Sequence, residues 1–193
     1  MAAVTAAELA GVLTYRDGAE YALGAAWLLA WPYGRPRLMS SYYFEDFDAG
    51  PPTEPVHGAE GRLACGDGAS WVCEHRWAAI GGMVRWRAVA ASAPVQLWQE
   101  DGDGRVAFSR GGRAFVALAA PGGGVWKASL LTGLPAGIYC DVAAGAGGLG
   151  PPDAPCASNV TVANDGRADV AVGAFGAPVV ALHVRAMHTQ KSE

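Results

Sequence analysis

From Pro94 onward, turn residues break the chain into short apolar or alternating runs, and this pattern constrains the fold more than any other feature. The runs are Val95 to Gln99, Arg105 to Ser109, Ala114 to Ala119, Val125 to Leu131, Gly137 to Val142, Val160 to Ala163, Ala168 to Val172 and Val179 to Val184. Asp101-Gly102-Asp103-Gly104, Gly111-Gly112 and Asn164-Asp165-Gly166 stand between neighbours, and the last is a strong hairpin signal because residues tolerant of positive φ fill the turn. Eight strands at this spacing describe an all-β sandwich. The 27 Gly and 12 Pro follow no fixed period, which excludes collagen and suits many turns.

The first ninety residues read differently. Tyr21, Leu23, Trp27, Leu28 and Leu29 share a helical face between Tyr15 and Trp31, and the helix stops at Trp31-Pro32-Tyr33-Gly34, where proline turns the preceding residue away from helix. Leu38 to Tyr42 reads as a short strand. A loop rich in Gly, Pro and acids then runs to about Ala64, long enough to count as a functional sign. A second helix is expected over about Trp71 to Arg85, with Cys73, Trp77, Ile80 and Val84 along one face. Two helices and one strand cannot cover each other's apolar surface as a free domain. The expected organisation is therefore an incomplete unit over 1–91, a β-sandwich over 92–187 and a tail over 188–193.

Apolar residues make up 51% of the chain and charged residues 17%, so it has the composition of a globular protein. A formal net charge of −4 and the lack of any Lys/Arg run argue against nucleic-acid and anionic-membrane partners, which need clustered cations. The longest apolar stretch, Ala22 to Trp31, is far short of a membrane span. MAAVTAAELA has no basic n-region and no cleavage pattern, so it does not read as a secretory signal. The cysteines point the other way: Cys65 with Cys73 and Cys140 with Cys156 form local pairs that suit disulfides in an oxidising compartment, the alternative being four reduced thiols in the cytosol.

Three segments carry a resemblance to a known family. Leu29-Ala30-Trp31-Pro32-Tyr33-Gly34-Arg35-Pro36-Arg37-Leu38-Met39-Ser40-Ser41-Tyr42 resembles the stretch around the eighth barrel strand of animal-type α-amylases. Trp71-Val72-Cys73-Glu74-His75-Arg76-Trp77 is similar to the start of their eighth barrel helix. Thr132-Gly133-Leu134-Pro135-Ala136-Gly137-Ile138-Tyr139-Cys140-Asp141-Val142, preceded by Ala107-Phe108-Ser109-Arg110-Gly111, is similar to their C-terminal β domain.

The resemblance implies an α/β barrel remnant, the last helix-strand-helix of a TIM barrel, followed by an all-β Greek-key sandwich. It implies a secreted parent enzyme that cleaves internal α-1,4-glucosidic bonds of starch or glycogen with retention. Such chemistry needs two carboxyl groups about 5 Å apart, assembled at the C-terminal ends of several barrel strands. No counterpart of the family's catalytic Asp, Glu and Asp segments is present, so no catalytic residue carries over and the chain alone is expected to be silent. The missing barrel segment is its implied partner. Calcium is expected only in the complete enzyme, and no metal site carries over. Arg37 matches an arginine that helps hold chloride in chloride-dependent members, where an anion near the acid would raise its pKa. The other chloride ligands are missing, so the expected site is incomplete; the plainer reading of Arg37 is a surface or carboxylate-paired arginine. A reading from another class is a non-catalytic β-sandwich module with a structural or glucan-binding role.

Other residues invite sharper readings that the sequence weighs against. Glu45, Asp46 and Asp48 follow the expected strand on the substrate face of a barrel, but nothing apolar nearby would raise a carboxyl pKa. Cys65, Cys73 and His75 lack zinc-site intervals and a fourth ligand, which favours a disulfide. Trp98 and Trp126 could stack on sugar rings if exposed; their places in alternating strands favour core or edge packing. Asn159-Val160-Thr161 is a glycosylation sequon, a weak pattern, and His183 reads as a packed histidine.

Overall fold

The structure, a computed structural model, describes residues 11–46, 48–58, 63–144, 156–173 and 177–187. The expected 188–193 tail and the first ten residues lie outside that set.

All eight strands form, within two residues of the expected bounds at most ends: β1 Val95–Glu100, β2 Arg105–Arg110, β3 Ala114–Ala119, β4 Trp126–Leu131, β5 Gly137–Cys140, β6 Asn159–Val162, β7 Arg167–Val172 and β8 Val179–His183. They make two four-stranded antiparallel sheets, ordered β1-β2-β3-β8 and β4-β7-β6-β5. In the second sheet three consecutive strands lie side by side and β4 flanks the last of them, which is Greek-key connectivity. The all-β sandwich expected from the turn spacing is what the chain builds. Between β2 and β3 the reversal uses Gly111 and Gly112 at φ +53° and +66°, a backbone that costs glycine nothing and strains any other residue.

The two sheets bury side chains at period two. On the second sheet Trp126, Leu130, Val160, Val162, Ala168, Val170 and Val172 point inward, while Lys127, Ser129, Thr161 and Asp169 are exposed. On the first sheet both faces are covered. Phe115, Ala117, Ala119, Val180 and Leu182 pack toward the second sheet, and the intervening Ala114, Val116, Leu118, Val179 and Ala181 pack toward the helices. Every residue of β3 is buried, which explains its unbroken apolar sequence.

The helices supply the third layer. Helix α1 spans Ala19–Ala30, and the Tyr15 to Gly18 part of the expected helix is instead a 3-10 turn, capped reciprocally by Thr14 and Asp17, followed by Gly18. Its buried face is Ala22, Ala25, Ala26, Leu29 and Ala30; Trp27 and Leu28, expected inside, are exposed. The small side chains let α1 lie close against α2, whereas the indole has no room there. Helix α2 spans Ala78–Ala90 and not Trp71 to Arg85. Cys73 stands at φ 57°, a left-handed backbone incompatible with helix, so the chain makes a 3-10 turn over Glu74–Arg76 before α2 begins. Ala79, Ile80, Met83, Trp86 and Ala90 form its buried face, and Val84 is exposed. Trp86 donates its Nε1–H to the carbonyl of Phe115 at 2.9 Å, tying α2 to β3.

The expected strand Leu38 to Tyr42 is not a strand. Only Tyr42 pairs, with Trp71, assisted by backbone bonds from Val72 to Ser41 and from Tyr43 to Ser70. A barrel strand takes its ladder from strands on either side, and among the described residues none lies beside this one. The two helices are consistent with a barrel remnant, but they close against the sandwich instead of standing free, so the residues that looked uncovered in sequence are covered by the first sheet.

Candidate functional site

Both cysteine pairs are disulfides, Cys65–Cys73 with Cα atoms 5.6 Å apart and Cys140–Cys156 at 5.5 Å. The first fixes the turn that enters α2. The second clamps the end of β5. His75, once weighed with Cys65 and Cys73 as a metal ligand, is exposed, and among the described residues no cluster of three or more His, Cys, Asp or Glu could hold a metal ion.

Glu45, Asp46 and Asp48 are exposed on the loop after Tyr42. Asp46 Oδ1 accepts the backbone N–H of Asp48 at 2.9 Å, an ordinary turn contact that brings no second carboxylate to face it. Arg37 is exposed, and among the described residues no hydrogen bond or ion pair involves it. One solvated guanidinium does not hold an anion against water, so the residues present do not fit chloride by themselves.

The buried polar groups are elsewhere. Glu74 is 1% exposed; its Oε2 accepts the N–H of Ser41 at 2.7 Å, while Oε1 has no hydrogen-bond partner among the described residues. Arg110 is fully buried and forks across three carbonyls: Ala93 from Nε at 2.6 Å, Ala30 from Nη1 at 2.7 Å and Ala91 from Nη2 at 2.9 Å. Ala30 ends α1 and Ala91 follows α2, so this cation lies where both helices present unpaired carbonyls and the negative ends of their dipoles. Burial, with Arg87 nearby, lowers its pKa from the usual arginine value. Arg87 of α2 donates to the carbonyls of Leu29 in the last turn of α1 and of Trp31 and Gly34 just past it. Asp141 receives the N–H groups of Ala181 at 2.9 Å and Ala143 at 3.1 Å on Oδ1, and burial pushes its pKa up to about 6 against the pull of those two bonds. His183 is buried, and its Nδ1 has no hydrogen-bond partner among the described residues; desolvation and the neighbouring Arg185 and Arg85 push its pKa down, which suits a packed neutral imidazole.

Aromatic side chains make the most distinctive surface. Trp98 of β1 is stacked on Phe108 of β2, with centroids 5.7 Å apart and planes 12° from parallel. Trp27 in the last turn of α1 and Trp31 just after it are stacked on each other at 5.4 Å and 13°. The two stacks meet at a right angle: Trp27 lies 6.3 Å from Trp98 and 6.0 Å from Phe108, both at 85°. Phe108 is fully buried, whereas Trp27 and Trp31 are each 37% exposed and Trp98 is 45% exposed. Trp126 is buried in the sandwich core, so only Trp98 of the two strand tryptophans reaches solvent. Its exposure follows from a break in β1, where the register with β2 slips between Gln96 and Gln99 and Leu97 stands at φ 52°. The alternation that suggested core packing for Trp98 is interrupted one residue before it. The grouping of Trp27 with Trp31 was open to sequence reasoning, since i and i+4 share a helix face.

The all-β domain, the helices against it and the paired cysteines can be set beside known proteins. Residues 98–184 match the family model described as the α-amylase C-terminal all-β domain. These residues belong to the α-amylase C-terminal domain family. Similarity to α-amylases continues well beyond that domain. An α-amylase from Tenebrio molitor is 40% identical over 184 residues, covering 91% of this chain and 37% of that protein. Wild-type α-amylase I from Eisenia fetida superposes with a TM-score of 0.75 at 35% identity, over 93% of this chain and 38% of that one. A mutant of the same enzyme, solved as a maltohexaose complex, gives 0.72 at 36% identity, over 89% and 36%. The chain thus spans somewhat over a third of the length of the α-amylases it matches. The arrangement seen here, an all-β sandwich with two helices packed against it, matches those α-amylase structures, and the helices are consistent with a barrel remnant.

Proposed function

We propose that this chain serves as the C-terminal part of a secreted α-amylase whose complete form cleaves internal α-1,4-glucosidic bonds of starch and glycogen with retention. The observation that carries this reading is the extent of the similarity: it covers 91% of the chain, the helices as well as the sandwich. Glu45, Asp46 and Asp48 stand exposed in a turn and Asp141 is sealed beneath β8, so the acids singled out in this chain form no facing acid and nucleophile pair. The chain alone is therefore catalytically silent. Its task is to close the barrel end, held together by Arg87, and dock it on the sandwich through Arg110 and Trp86. Arg37 would contribute one ligand to a chloride site that barrel residues complete, and calcium would be bound by the barrel. The two disulfides support secretion.

The test is a reducing-sugar assay on soluble starch, with and without chloride, for the purified 193-residue chain and for a longer chain that carries the remaining barrel strands. Turnover by the longer chain alone is expected. Turnover by the short chain, or none by the longer one, overturns the reading.

A further inference from the structure

Trp98 lies on Phe108, so one face of its indole is covered, yet 45% of the residue is exposed. The stack on Phe108 therefore leaves a large part of Trp98 open to solvent. Trp27 and Trp31 stand edge-on beside it as a stacked pair, each 37% exposed. Together the three tryptophans leave roughly 300 Å² of residue surface in water, at the lower end of the patch sizes that on a monomer are often functional. The patch is rigid: Phe108 backs it from the core, the irregularity at Leu97 sets the direction of Trp98, and Trp98 donates its Nε1–H to Glu100 Oε2 at 2.9 Å. An apolar protein layer laid over this patch would strip water from the exposed Glu100 carboxylate at its rim, which is costly. A ligand with an apolar C–H face and a fringe of hydroxyls meets both demands, since ring stacks on ring and hydroxyls donate to the carboxylate. A sugar has that chemistry.

We propose that Trp98, with the stacked pair Trp27 and Trp31 beside it, forms a surface platform that binds an α-glucan chain. The choice of α-glucan rests on the function proposed above; the platform itself rests on ring geometry. Stacking supplies the affinity, and Glu100 orients the sugar by accepting its hydroxyl protons.

The experiment is native electrophoresis of the purified 193-residue chain in gels containing glycogen, hydroxyethylcellulose or no polysaccharide, with tryptophan fluorescence titration by maltoheptaose up to about 10 mM. Retardation by glycogen alone is expected, weakened about tenfold in Trp98→Ala, in line with the loss of one ring stack. Trp98→Phe should restore part of the binding. Glu100→Gln, which keeps the ring surface, should weaken binding by about twofold to threefold. Urea midpoints of the variants, read by circular dichroism, separate loss of binding from loss of fold. Absence of retardation, equal retardation by hydroxyethylcellulose, or unchanged binding in a folded Trp98→Ala overturns the proposal. So does mobility that falls with protein concentration in the ligand-free gel, which would make the patch a contact between copies. A longer chain that cleaves starch while this chain fails to bind glycogen refutes the platform and leaves the proposed function standing. Glycogen binding beside an inactive longer chain does the reverse.

Discussion

Replacing Arg110 by methionine tests whether the helices and the sandwich behave as one cooperative unit. The guanidinium makes three hydrogen bonds, and the one to Ala30 is fully buried while those to Ala91 and Ala93 are partly so. Methionine keeps much of the stem's packing but donates nothing. Leaving the Ala30 carbonyl unpaired costs about 1–3 kcal/mol, and the two others about 1 kcal/mol each. Relief from burying a cation without a carboxylate offsets part of this, for a net loss of about 3 kcal/mol. With a urea slope of about 2 kcal/mol/M, the unfolding midpoint should fall by about 1.5 M. Arg110→Lys retains the charge as a point donor that cannot span all three carbonyls, so it should fall between the two. Urea unfolding followed by far-UV circular dichroism and by tryptophan fluorescence gives both the midpoint and a test of cooperativity, because the seven tryptophans are spread over the helical part and the sandwich and two separate units would give two transitions. A midpoint within about 0.3 M of the parent, or two separate transitions in the parent, would refute the reasoning.

Two further expectations concern the same junction. Asp141 has a folded pKa of about 6, raised from 3.8, so the stability it contributes is fully present below about pH 4 and is lost as pH rises through 6. Asp141→Asn keeps the acceptor for Ala143 and Ala181, and so should lower the parent-minus-variant stability difference between pH 5 and pH 7 by about 1 kcal/mol; His183, whose shift acts in the opposite direction, is common to both proteins and cancels. Equal pH dependence in urea melts of parent and variant would contradict this. Gly82→Ala should destabilise by about 2–3 kcal/mol, since the new Cβ would lie 1.8 Å from the carbonyl oxygen of Val142 and its three nearest atoms, from Val142 and Ala143, are all backbone. A thermal midpoint like the parent's would show that α2 can move away from that loop at little cost.

The sandwich was legible because strand physics is local. Runs of four to seven residues between turn residues report their own structure, and the resemblance carried by Thr132 to Val142 agreed with them. The helices were legible as helices but not as faces: hydrophobicity put Trp27 and Leu28 inside, whereas the close approach of α1 and α2 selects alanine. The start of α2 was misplaced because apolar spacing includes Cys73 and cannot show that a disulfide and a left-handed backbone stop the helix there. Leu38 to Tyr42 has strand composition without a ladder, since pairing depends on other segments. Of the sites, the cysteine pairs followed from spacing. Arg110 did not, because its three partners are carbonyls 80, 19 and 17 residues away that carry no sequence signature. From sequence, protease should trim everything before about residue 90; the packing of α1 and α2 on the sheet predicts instead that this segment resists with the sandwich.

The double coverage of the first sheet limits how this region can be moved between proteins. A graft cut at the sandwich alone would carry Phe108, Val116, Leu118, Val179 and Ala181 as a naked stripe, and molecules so made should adhere through it. Anyone transplanting the domain as a ready-made appendage has to take both helices along, starting no later than Thr14, whose side chain caps the turn that leads into α1. The smallest transferable piece is thus set by packing, and it is larger than the repeating pattern of turns suggests.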